Sequence, residues 1–104
     1  MTKVTFKKYP KETGLASIGY NYQSVDIKIN KRKFAMIHAP TWQTPDNKWT
    51  ISFAIARPAP DNPNSSWHWV HLKFRFDSEE DARLWIQENV DALMQRYEFH
   101  FFED

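Results

Sequence analysis

Residues 66–77 read Ser-Trp-His-Trp-Val-His-Leu-Lys-Phe-Arg-Phe-Asp. Alternate residues of an extended chain share a face, so this stretch separates into two sets. His68, Val70, Leu72, Phe74 and Phe76 form an almost wholly apolar set suited to a core. Trp67, Trp69, His71, Lys73 and Arg75 form the other set: two indoles, an imidazole and two cations. The alternation predicts a strand with one buried face and one face built for contact.

Directly after it, Ser78 begins a different periodicity. Its hydroxyl can cap a helix, with Asp81 three residues on completing a capping-box variant. Glu79, Glu80 and Asp81 fall where the helix dipole favours acids. Ala82, Trp85, Ile86, Val90 and Leu93 recur at helical spacing, which predicts one amphipathic helix to about residue 94. Tyr97 to Phe101 alternates again and can add a final strand.

Upstream, residues 3–8 alternate with Val4 and Phe6 inward. Ile18 to Tyr22 and Val25 to Ile29 are apolar in opposite phase, which places a bulge or break near Gln23–Ser24. Asn30-Lys31 suits a two-residue hairpin turn, with the return strand over about 33–38. Residues 39–48 read as a loop. In residues 49–57, Trp49, Ile51, Phe53 and Ile55 share a face, opposite small residues. The fold expected is a single α+β domain over residues 1–104. It has an antiparallel sheet of about five strands, with the C-terminal helix packed on one face. One helix covers one face; the other must meet solvent, a partner or a second copy of the chain.

The chain has 104 residues, 16% of them aromatic, and no cysteine. Disulfides, thiolate metal sites and cysteine nucleophiles are thereby excluded, and a reducing compartment is favoured. No apolar run approaches bilayer-spanning length and no signal-like segment is visible, so the expected location is cytoplasmic, without membrane association. Net charge is only +1, but it is segregated. Residues 1–33 carry eight Lys/Arg against Glu12 and Asp26, whereas residues 78–104 carry eight acids against Arg83 and Arg96.

Interleaved rings and cations are how sheet surfaces hold nucleic acid, since rings stack on bases and cations meet phosphates. The nucleic-acid-binding set expected is therefore Trp67, Trp69, His71, Lys73 and Arg75, extended by the basic hairpin residues Lys28, Lys31, Arg32 and Lys33. The plainer alternative packs both tryptophans under the 58–65 loop and leaves the cations solvated. A protein-binding module, acting through Glu88 and Asp91 on the acidic helix or through Trp67 and Trp69, is the second functional reading. An aromatic face can also pair two copies as a homodimer. In general character such a small, charged, cysteine-free domain resembles virus-encoded inhibitors of host defence proteins.

Catalytic signals are poor. His38, His68, His71 and His100 are scattered, His68 and His71 point to opposite faces, and Gly14 and Gly19 build no phosphate loop. The expectation is a non-enzymatic protein without metal or cofactor.

Trp49, Trp69, Phe74-Arg75-Phe76 and Ser78-Glu79-Glu80-Asp81-Ala82-Arg83-Leu84-Trp85 follow one another in a known rhythm. Residues 49–94 resemble the strand–strand–helix ending of AP2-type DNA-binding domains and of tyrosine-recombinase arm-binding domains, where Phe-x-Ser/Thr-x-x-x-Ala-x-x-Trp opens the helix. The resemblance implies major-groove contacts from Trp67, Trp69, Lys73 and Arg75. The chain departs from that pattern in its two glycines, its additional N-terminal strands and its acidic helix.

Overall fold

The computed structural model describes residues 2–8, 24–40 and 46–103. The expected strand over 18–22, the turn over 9–14, residue 23 of the phase break expected near Gln23–Ser24 and residues 41–45 of the expected loop lie outside the described residues. Five antiparallel strands form one sheet in chain order: β1 (Thr5–Lys8), β2 (Val25–Ile29), β3 (Arg32–His38), β4 (Thr50–Ile55) and β5 (His68–His71). One helix follows, α1 (Glu79–Arg96). The α+β architecture read from the sequence is therefore the one observed.

The hairpin between β2 and β3 turns on Asn30 and Lys31, both left-handed at φ 51° and 67°. Positive φ at both central residues is what a two-residue turn needs to match strand twist. The partners run Val25↔Ile37, Asp26↔Met36 and Ile27↔Ala35, then slip to Lys28↔Lys33. Phe34 is the extra residue. This bulge lets Phe34 and Ala35, adjacent in sequence, both be fully buried.

Across the sheet, Phe6, Ile27, Ala35, Phe53 and Val70 fall in one row, and Val25, Ile37 and Ile51 in the next. Helix α1 lays Ala82, Ile86 and Val90 against this face, all three at 0% exposure. Fully burying a residue such as Ile86 is worth about 1.5–3 kcal/mol. Ser78 caps the helix as expected, its Oγ accepting from the Asp81 amide at 3.1 Å. The helix runs two residues beyond the expected end, to Arg96.

Two expectations are corrected. The strand read over 66–77 ends at His71. The β4–β5 register runs to Ser52↔His71, and the Leu72 amide still donates to Ile51 O. The next pairing is Trp49↔Phe76, so Leu72–Phe76 spends two more residues than β4 over the same span. That surplus loops out. Phe74, expected in the core, is 57% exposed and touches Trp85 at 5.7 Å between ring centroids. Leu72, Val70 and Phe76 do pack against the core, half-buried.

The segment after α1 forms no long strand. Phe99 bridges to Ile55 and Phe102 to Lys33, each antiparallel. Ile55 already pairs with β5 and Lys33 with β2, so the tail enters the fork where β3 and β4 part. It contributes to both faces. Phe99 is buried, stacked on Phe34 at 4.5 Å and edge-on to Phe53 at 5.7 Å. His100 and Phe102 turn to the face opposite α1.

Candidate functional site

Opposite α1, the alternation of each strand and the inter-strand register set the side chains in rows. One row runs Thr5, Lys28, Lys33 through β1, β2 and β3. It continues through the tail residue Phe102, paired with Lys33, and His100, whose amide donates to Ala54 O at 2.9 Å. It ends at Trp69, the partner of Ala54. Cations thus occupy one half of a band and rings the other.

The rings are assembled with one another. Trp67 lies parallel to His100, 5.0 Å apart at 8°, and edge-on to Trp69 and Phe102. Trp69 stacks on Phe102 at 5.6 Å. The Lys33 ammonium joins the two halves, 5.7 Å from the Trp69 ring and 6.0 Å from Phe102. It also lies 3.1 Å from Asp26 Oδ1. That contact is electrostatic, since the buried oxygen accepts no hydrogen bond among the described residues. Trp67 and Trp69 are half-buried, midway between the two sequence readings, and each packs on the tail.

The next row is Lys7, Asp26, Met36, Ser52 and His71. Ser52 is 1% exposed, with His38 Nε2 at 2.8 Å and His71 Nδ1 at 2.5 Å from its Oγ. Burial holds His38 below the ordinary imidazole range, with His71 and then Lys33 adding repulsion.

The other expected contact residues are dispersed. Lys73 and Arg75 sit in the looped-out segment, not on the strand. Arg75 pairs with Asp46, and its hydrogen bond to that carboxylate is the main cause holding Asp46 below the usual carboxylate range. Lys31 and Arg32 are exposed at the hairpin tip, Arg32 lying 5.2 Å from the Phe101 ring centre. On the helix, Glu88 is exposed, but Asp91 receives the Thr2 amide at 3.0 and 3.2 Å, which commits it to holding the N-terminal segment.

Nothing in the sequence marks His38, Ser52, His100 and Phe102 as contact residues. Their alternation was visible; the registers that bring them to Trp69 and His71 were not. Among the described residues no group of three or more His, Cys, Asp or Glu could hold a metal ion, and no helix is long and apolar enough to cross a membrane. Comparison of the chain with protein-family models, curated proteins and solved structures finds no match.

Proposed function

We propose that this domain is a non-enzymatic module that binds nucleic acid, single-stranded, on the sheet face opposite α1. The observation that carries the reading is the band Lys28–Lys33–Phe102–His100–Trp69, with the Lys33 ammonium over two of its rings. Stacked rings offer faces to bases, and lysines on the same face, continued by exposed Lys31 and Arg32 at the hairpin tip, follow a phosphate backbone.

The test is a tryptophan-fluorescence titration with single- and double-stranded oligonucleotides at several salt concentrations. Trp69→Ala is expected to weaken single-strand binding by about 1–3 kcal/mol with little change in salt slope. Lys28→Ala with Lys31→Ala should instead make the slope shallower by about 0.7 per lost single-strand phosphate contact. Circular dichroism confirms that each variant is folded. A folded wild-type protein that binds neither oligonucleotide at low salt refutes the reading.

A protein-binding reading has a separate observation in its favour. Phe74 and Leu84 are 57% and 54% exposed, and Leu84 has Glu80 and Glu88 one helical turn to either side. If Phe74→Ser with Leu84→Ser leaves oligonucleotide binding intact and abolishes capture of a defined protein partner, this surface carries the function.

A further inference from the structure

The chain His38–Ser52–His71 lies beside the proposed band and has a chemistry of its own. A hydroxyl carries one hydrogen, so Ser52 can donate to one imidazole while accepting from the other. With both rings neutral, the chain has one donor direction. Adding a proton to the accepting ring makes both rings donors toward Ser52 Oγ, and the serine hydrogen must leave the line. The ring centroids are 6.3 Å apart, so the first charge opposes a second. The geometry thus favours a state with one added proton over a doubly charged one.

The position of that proton follows from the surroundings. Among the described residues, β1 turns Lys7 to this face, β2 turns Asp26 and Lys28, β3 turns Lys33, and the tail turns His100. Strand β4 turns only Thr50, Ser52 and Ala54, none charged. His38 is half-buried, with desolvation, His71 and Lys33 all disfavouring its charged form. His71 is exposed at the open end, where water solvates a charge. With its Nδ1 held by Ser52, its Nε2 is the nitrogen left for a ligand.

We propose that His71, oriented by Ser52 and His38, is a proton-gated phosphate contact of this face. In the one-proton state, its Nε2–H donates a charge-assisted hydrogen bond to a phosphate oxygen; without the proton, the positive charge is lost. His71 is the contacting residue and His38 a positioning residue. This inference rests on the nucleic-acid reading above.

The experiment is fluorescence anisotropy of a labelled single-stranded oligonucleotide with the full chain, at constant ionic strength, from about pH 5.5 to about pH 7.5. Wild type is expected to bind about tenfold more tightly at the acid end. His71→Gln, which keeps a hydrogen-bonding side chain but cannot charge, should lose the His71-dependent part of that difference. His38→Gln should move the midpoint of the pH profile without changing the acid-plateau affinity, a result that mere loss of packing would not give. His68 and His100 remain in every variant, so the comparison reads the substituted histidine. Binding that is independent of pH, or a full acid enhancement in His71→Gln, overturns the inference and leaves the nucleic-acid reading standing. Absence of binding across the whole range removes both.

Discussion

Phe99→Ala isolates the contribution of the terminal segment. The Phe99 side chain is 7% exposed and touches Phe34 and Phe53 at 4.5 and 5.7 Å between centroids. Burying roughly 200 Å² of an aromatic side chain at about 25 cal/mol per Å² is worth about 5 kcal/mol. Alanine retains the Cβ, and the cavity left behind adds back part of what that saves. The expected loss is therefore about 3–5 kcal/mol. Against a total of about 5–15 kcal/mol for a domain, that is enough to bring it close to unfolding. The control is Phe74→Ala, since the same side chain is 57% exposed there and should cost about 1 kcal/mol or less. Urea denaturation followed by circular dichroism measures both, with equal slopes showing that the same surface unfolds. Equal losses, or a loss at Phe99 below about 1 kcal/mol, would refute the assignment of the tail to the core.

Two further outcomes follow from the backbone and from the buried histidine. Lys31→Gly should raise stability by about 1 kcal/mol, because glycine adopts φ 67° without the steric cost borne by lysine; an unchanged or lower urea midpoint would contradict the turn geometry. Because His38 is held below its ordinary value of 6.5 in the folded state, the unfolded chain takes up its proton first as pH falls. Its contribution is thus present above about pH 6.5 and lost on acidification through the lowered folded value. The melting temperature should fall below that pH, and less steeply in His38→Gln; equal acid sensitivity of the two proteins would remove His38 as the cause.

Local chemistry was legible in the sequence wherever it is decided locally. Ser78 and Asp81 define the helix start within four residues, and Asn30-Lys31 suits a tight turn between two alternating runs. The core face of β4 was legible for the same reason. What could not be read was register. Nothing in residues 66–77 reveals that β4 uses two fewer residues between Ile51 and Trp49 than the facing chain does between Leu72 and Phe76. Yet this surplus moves Phe74 out of the core and Lys73 and Arg75 off the strand. The structure brings Trp67, Trp69 and Lys33 together, joined by His100 and Phe102, whose place beside them depends on where the tail re-enters the sheet. His38 and Ser52 meet through strand pairing, which leaves no mark on either residue's immediate neighbours.

The re-entry of the tail also sets one distant pairing against several local ones. The pairings β1–β2, β2–β3, β3–β4 and β4–β5 each join strands consecutive in the chain, whereas Lys33 and Phe102 are joined across most of its length. Contacts between sequence neighbours close at small entropic cost, and distant ones await them. The meander can therefore form with its fork still open, leaving the Lys33 and Ile55 backbones without their second partners and the Phe34 and Phe53 rings without Phe99. Without the tail, the fork would leave unpaired backbone beside apolar rings, the combination that invites pairing with another chain. The last few residues thus complete the core, fill the fork and supply His100 and Phe102 to the aromatic cluster opposite α1.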